Sequence, residues 1–409
     1  MLDPDYLSKV AEGAEQIASE LHSYIIKEVV SRMTARLGDG DNYLFTASDR
    51  WRIQIMQDAG YLLEDITADI SKMTGLLETE VSAAMQDACI ESLTYDDAIY
   101  KAAGLDPMPF RQSPVLMRLA ERAYGATLGE WRNATRTTAL AAQNKFIEAC
   151  DSAYYRATSG AATYTQAASE AIERAAADGV AILYPSGRRD TIESATARAV
   201  RTGISQAAGD ITQKRMDEMG WDIVLVSAHV GARLGNGGEN AGNHHWWQGK
   251  FYSRSGADKM YPPFSLTGYG TVEGLCGANC RHSFGPGDGK NNPYAKLAEE
   301  DDENAGKLYR AEQKQRGYER QIRKVKREVL GLQEAVKACQ DKELKQRLQE
   351  SLDKKSYALL QKNARYSEYC KLNNLRPLPD RLKIAKWKRE QSVKANGAAR
   401  RYQNQIEND

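Results

Sequence analysis

The sequence predicts an α+β protein that is predominantly α-helical. It has elongated N-terminal helices, a small loop-rich antiparallel β module around residues 222–290, and coiled-coil-like C-terminal helices. Three observations predict this. Apolar residues recur at helical spacing through most of the 409 residues. One β-branched apolar run of strand length, residues 222–229 (DIVLVSAH), lies between long helical stretches. The stretch that follows, as far as Phe284, is dense in Gly, His, Trp and Tyr and shows no helical period. A chain of this length can bury two or three cores. We divide it into an acidic helical region (1–110), long helices leading to the module (111–220), the module itself (221–292) and a basic helical region (293–409).

Each element has a local reason. Val10, Ala14, Ile17, Leu21 and Ile25 mark a helix over 5–37, and GDGD at 38–41 breaks it. Ser48 and Asp49 are good capping residues for a helix through Trp51, Ile55, Leu62, Ile66, Ile70 and Met73. Gly75 is expected to interrupt it, with a further helix over 77–104. Ser113-Pro114 is a hydroxyl cap followed by proline at the first helical position, so a helix is expected from Pro114 to about Thr158. SGAAT at 159–163 breaks the chain before a short helix at 165–178. VAIL then leads to a turn at 184–187. Asp190 and Glu193 have capping-box spacing and open a helix to about Met219, closed by Gly220 in a left-handed conformation. Short strands are expected near 249–252 and 280–284. Beyond EEDDE (299–303), Tyr318, Ile322, Val325, Val329, Leu332, Val336 and Cys339 alternate steps of four and three, a narrow seam that calls for one partner helix. Leu344, Leu348 and Leu352 continue it at steps of four. Asn373-Asn374 and RPLPD (376–380) end this stretch, a last basic helix carries Trp387, and NQIEND is expected to fray.

Composition excludes several classes. No run approaches the length needed to span a bilayer, and the acidic start lacks the layout of a secretory signal. Six dispersed cysteines do not form a disulfide framework and suit a reducing cytosol. The net charge of +1 hides a polarity. Residues 1–106 hold twenty acidic and eight basic residues, whereas 307–327 hold nine basic and two acidic, and 371–401 ten basic and two acidic. Two different partner surfaces are implied, the basic one suited to nucleic acid. The alternative is that these are ordinary solvated helix faces.

The module concentrates chemistry. Four of the five histidines (His229, His244, His245, His282) lie in it, with Cys276 and Cys280 and the pair Trp246-Trp247. Cys276-x3-Cys280-x-His282 puts two thiols and an imidazole within seven residues, and His229, His244 or His245 would complete a tetrahedral zinc site. Metal would stabilise a module too glycine-rich to bury much apolar area. Alternatively the cysteines are small buried hydrophobes and the histidines hydrogen-bond loop backbone. A catalytic reading, with Cys280 as nucleophile or His245 in a metal-dependent nuclease, lacks a third orienting residue, and Glu239 and Asp258 are isolated. The favoured reading is architectural. Arg233 braces loops through carbonyls or carboxylates, Trp246, Trp247, Tyr252, Tyr261 and Tyr269 supply the core, and Gly249, Gly268 and Gly270 take positive φ.

The ordered set SAHVGAR, HHWWQGKFY and YPPFSLTGYGTVEGLCGANCRHSF resembles the phage minor capsid protein 2 family, itself related to the Mu gpF-like head morphogenesis proteins. The approach helix YPSGRRDTIESATARAVRTGISQ and the basic EQKQRGYERQIRKVKRE are similar too, so the resemblance is clearest over about 184–330. His229, Arg233, His245, Gln248, Asn279, Cys280 and His282 match the motif, with His244 and Cys276 set apart as local choices. The resemblance implies a structural virion protein rather than an enzyme, low in copy number, inside the head at the portal vertex and in the host cytoplasm during assembly. Implied partners are the portal protein, major capsid or scaffold protein, and non-specifically bound double-stranded DNA, with no membrane. Candidate metal ligands are His229, His245, Cys276, Cys280 and His282, for zinc. Candidate DNA contacts are Lys314, Arg316, Arg320, Arg323, Lys324, Lys326 and Arg327. A virion-borne metal-dependent nuclease or cysteine hydrolase stands as the alternative.

Overall fold

The computed structural model describes residues 1–38, 48–178, 181–183, 189–298 and 302–408. The breaks expected at 39–41 and 184–187, and residues 299–301 of the acidic run, lie outside them. The described residues are predominantly helical, with one two-stranded and one three-stranded antiparallel sheet. Helices α1 (Pro4–Lys9), α2 (Glu12–Leu37), α3 (Ser48–Ala102), α4 (Pro114–Thr158) and α5 (Tyr164–Asp178) come first. Strands β1 (Ala181–Leu183) and β2 (Arg189–Thr191) precede α6 (Ile192–Met219). The module contributes β3 (Ile223–Val226), α7 (His244–Trp247), β4 (Phe251–Ser253), β5 (Phe284–Pro286) and α8 (Ala295–Ala298). Helices α9 (Asp302–Ala338), α10 (Lys342–Leu372) and α11 (Arg389–Asn408) follow.

Four sequence expectations are corrected. Gly75 does not interrupt α3. It faces solvent with nothing near its missing Cβ, and a Gly costs only about 1 kcal/mol in a helix interior. The buried row Trp51, Ile55, Leu62, Ile66, Met73, Leu77, Val81 and Met85 carries the helix through it. Leu344, Leu348 and Leu352 do not extend the seam helix. The chain turns after Ala338, and Asp341 caps α10 by accepting from the Leu344 N–H at 2.7 Å. Trp387 lies ahead of α11 rather than on it, and the C-terminal segment remains helical to Asn408.

The chain forms two compact units, each assembled from three separated segments. One comprises Gln16–Thr74, Asn133–Glu193 and Lys314–Asp409. Here the seam finds its partner within the chain. The Tyr318 ring packs on Tyr369 at 5.1 Å, and Lys355 donates to Glu328 at 2.9 Å, so α10 runs antiparallel to α9. Helix α11 then runs alongside both. Gln333 donates to the Gln391 carbonyl at 3.2 Å, and Arg401 donates to Asp353 at 2.7 Å. Beneath this, Glu193 is buried between His22 and Arg327. Its capping-box spacing therefore coincides with an interior ion cluster.

The other unit comprises Met1–Glu15, Gly75–Arg132 and Ser194–Gln313, and holds the module. Gly220 closes α6 at φ +62°, with the Trp221 N–H bonded to the Met216 carbonyl at 2.9 Å. That turn feeds β3, the centre of an antiparallel sheet ordered β4-β3-β5, with Val224 opposite Tyr252 and Leu225 opposite Gly285. Val224, Val226, Trp247, Tyr252, Phe264, Leu275, Cys276, Cys280 and Phe284 form one core with Tyr100 and Met216.

Candidate functional site

The site is built from backbone outward. The loop after β3 returns at Arg233, whose carbonyl accepts from the His244 and His245 N–H groups at 2.7 and 3.2 Å. Asn243 caps the single turn of α7 by accepting from the Trp246 N–H. That turn drives Trp247 into the core, where its indole N–H donates to the Ala241 carbonyl at 2.9 Å. Gly268 takes φ +63°, and Gly274 approaches so closely that an added Cβ would lie 2.2 Å from the Gly268 carbonyl oxygen. The strand expected around Cys280 is found later, at β5. Cys276 and Asn279 instead adopt left-handed backbone, at φ 59° and 58°. These turns bring Cys280 and His282 back beneath α7.

Three side chains then converge. His244 Nδ1 lies 3.3 Å from His282 Nδ1, and Cys280 Sγ lies 3.7 and 3.6 Å from these two nitrogens. All three residues are buried, and Trp247 packs on both imidazoles at 4.5 and 4.8 Å between ring centroids. Gln248 fixes one tautomer. Its Oε1 accepts from the His229 backbone N–H at 3.1 Å, so the oxygen faces that side, and His282 Nε2 lies 2.9 Å from the same oxygen. His282 therefore carries its proton on Nε2 and turns a bare Nδ1 toward His244 and Cys280. His244 Nε2 lies 2.8 Å from the Glu273 carbonyl and 2.6 Å from Arg233 Nη2, which itself donates to that carbonyl at 3.0 Å.

The electrostatics follow from burial. Desolvation, helped by the Arg233 charge, lowers His244 to about 3, and burial holds His282 well below the ordinary histidine value. Burial pushes the Cys280 thiol up to about 11, and Cys276 higher still. Both imidazoles are thus neutral and both thiols protonated at pH 7 in the absence of a metal.

The remaining candidates lie around this cluster. His229 stacks on His282 at 4.3 Å, with its Nδ1 2.9 Å from the Val230 carbonyl. His245 faces Gln248, which donates to its Nδ1 at 3.2 Å. Cys276 is buried, with its Sγ 3.9 Å from the His282 carbonyl oxygen. Among the described residues, the one group of three His, Cys, Asp or Glu whose donor atoms come together is His244, Cys280 and His282. Sequence reasoning sets His244 aside, because adjacent histidines look alike until the phase of a one-turn helix is known. Of the basic candidates, Lys314, Arg320 and Lys324 are exposed and Arg316, Arg323 and Lys326 half-buried. Lys326 donates to the Leu382 carbonyl at 2.7 Å, and Arg327 is buried against Glu193.

Fold and site together define a helical protein that carries a glycine-rich, three-stranded module with a buried His/Cys cluster. The chain matches the family model for phage minor capsid protein 2 over residues 2–358 and belongs to that family. It is a phage minor capsid protein, and the virion is its place. No curated protein and no solved structure matches the chain. No helix among the described residues is long and apolar enough to cross a membrane.

Proposed function

We propose that this minor capsid protein is a structural component of the portal vertex inside the head of a tailed bacteriophage. Its C-terminal basic surface meets the packaged double-stranded DNA, and its acidic N-terminal helices meet the portal, major capsid or scaffold protein. One observation carries the DNA arm of the reading. All ten basic side chains of residues 371–401 are exposed. Lys371 lies at the end of α10 and the other nine project from the turn and helix after it, where they would bind phosphates, blind to sequence. The module acts as architecture that orients helices. Support for a structural rather than a catalytic role comes from Cys280, whose thiol is buried and shifted upward, opposite to the shift of a nucleophile.

The DNA arm is tested by titrating salt against binding of the full-length protein to duplex DNA. Replacing Lys383, Lys386, Lys388, Arg389, Lys394 and Arg400 by Gln should flatten the log–log salt slope by about 0.9 for each phosphate that is no longer neutralised. An unchanged slope would overturn it. The vertex arm is tested by comparing density maps of heads assembled with and without this chain. Difference density at the portal vertex is expected, and density confined to other positions would refute the assignment.

A further inference from the structure

We propose that His244 Nδ1, Cys280 Sγ and His282 Nδ1 are three ligands of a structural zinc ion, in a site that goes beyond the capsid role and does not depend on it. With Zn–N near 2.0–2.1 Å and Zn–S near 2.3 Å, a tetrahedral ion holds its ligand nitrogens about 3.3 Å apart and nitrogen and sulfur about 3.6 Å apart. The observed triangle is 3.3 Å for N···N and 3.6 and 3.7 Å for N···S. These three atoms come from α7 and from the loop before β5, and they already form one face of the coordination tetrahedron.

The surrounding hydrogen bonds are those that zinc-bound histidines need. A ligating imidazole donates its other N–H to a fixed acceptor, which sets the tautomer and aims the lone pair. His282 does this through Nε2 to Gln248 Oε1, itself fixed by the His229 N–H. His244 Nε2 faces the Glu273 carbonyl at 2.8 Å, and for Nε2–H to donate there Arg233 Nη2, now 2.6 Å from the same nitrogen, must turn to the carbonyl's second lone pair. In this tautomer two bare nitrogens confront each other at 3.3 Å beside a thiol that has one proton to give. A cation resolves that confrontation. On binding, the thiol loses its proton to solvent, the thiolate and both imidazoles donate lone pairs, and no oxidation state changes. One thiolate with two imidazoles and no carboxylate suits zinc rather than calcium or magnesium. Cys276 Sγ does not join the three converging donor atoms, so the fourth position falls to water. The competing state is metal-free. His244 would shift its proton to Nδ1 and accept from Arg233 at 2.6 Å, leaving a hydrogen-bonded triad.

Elemental analysis of full-length protein purified without chelator should find one zinc per chain. His244→Ala and Cys280→Ser should each lose most of it, and His245→Ala should keep it. Because those variants can also unfold, wild-type protein stripped by chelator and refilled with cobalt(II) gives an independent readout. Tetrahedral d–d absorption with a charge-transfer band of the intensity of one thiolate is expected. Wild-type protein that holds no zinc and gives no such spectrum would establish the metal-free triad and overturn the proposal. So would zinc retained at the wild-type level by a folded His244→Ala protein.

Discussion

Replacing Glu193 by Ala should be among the most damaging single changes outside the module. Its carboxylate is buried and meets His22 Nδ1 at 2.8 Å and the Arg327 guanidinium, which is buried as well. Burial alone would raise its pKa, but the Arg327 charge and the His22 hydrogen bond outweigh that and hold it well below the ordinary glutamate value. Removing one partner of a buried pair leaves a charge without compensation, at a cost of about 3–5 kcal/mol. For a cooperative unit of 150–250 residues, each kcal/mol moves the midpoint by roughly 2–4 °C, so a drop of about 6–20 °C is expected by far-UV circular dichroism. The double variant Glu193→Leu/Arg327→Met removes both charges and should recover most of the loss. The sign with pH is fixed. A depressed carboxylate contributes stability that is fully present above its unfolded value of about 4.3 and is lost as pH falls toward the folded value. The wild-type advantage should therefore be full at pH 7 and shrink below about pH 4. A single variant within about 1 kcal/mol of wild type, or a double variant as unstable as the two singles summed, would refute the reasoning.

Burial against Glu193 separates Arg327 from its neighbours. Arg327→Met should cost stability, whereas Arg320→Gln and Lys324→Gln, on the exposed side of α9, should shift the urea midpoint by no more than about 0.5 kcal/mol of stability. Trp247→Ala empties the module core and should cost about 3–5 kcal/mol, read by urea unfolding and by loss of near-UV ellipticity. Gly274→Ala should be far worse than Gly270→Ala. The first forces a methyl group against the Gly268 and Thr267 carbonyls, while the second meets nothing within 4 Å and carries only the cost of φ +85°, about 1 kcal/mol. All six cysteines are buried and free, so a thiol reagent should label essentially none in the native protein and six after denaturation.

What the sequence made legible was local. Ser113-Pro114 gives the start of α4, and Gly220 the left-handed close of α6. Positive φ at Gly249, Gly268 and Gly270, and the bracing role of Arg233, are also as expected, because each depends on a few neighbouring residues. What it hid depended on distant partners. The seam at Tyr318 could not show that Tyr369 lies opposite, since nothing local says where the chain turns back. Arg327 looks like its basic neighbours until Glu193, 134 residues away, is placed against it. His244 and His245 differ only in which side of a single turn they occupy, and that phase is set by Asn243 and by the Arg233 carbonyl. Gly75 shows the converse error, in which a weak local signal for a break yields to a long buried row.

The order of strands in the small sheet has a consequence for synthesis. Ile223–Val226 is the central strand, yet both of its neighbours are translated after it, and the later one ends roughly sixty residues downstream at Pro286. At about 5–20 residues per second, the ribosome leaves this apolar ribbon with at least one open edge for roughly 3–12 s. A nascent chain stalled in that window presents an adhesive strand to its neighbours on the same message. Cys280 and His282 emerge only as the window closes.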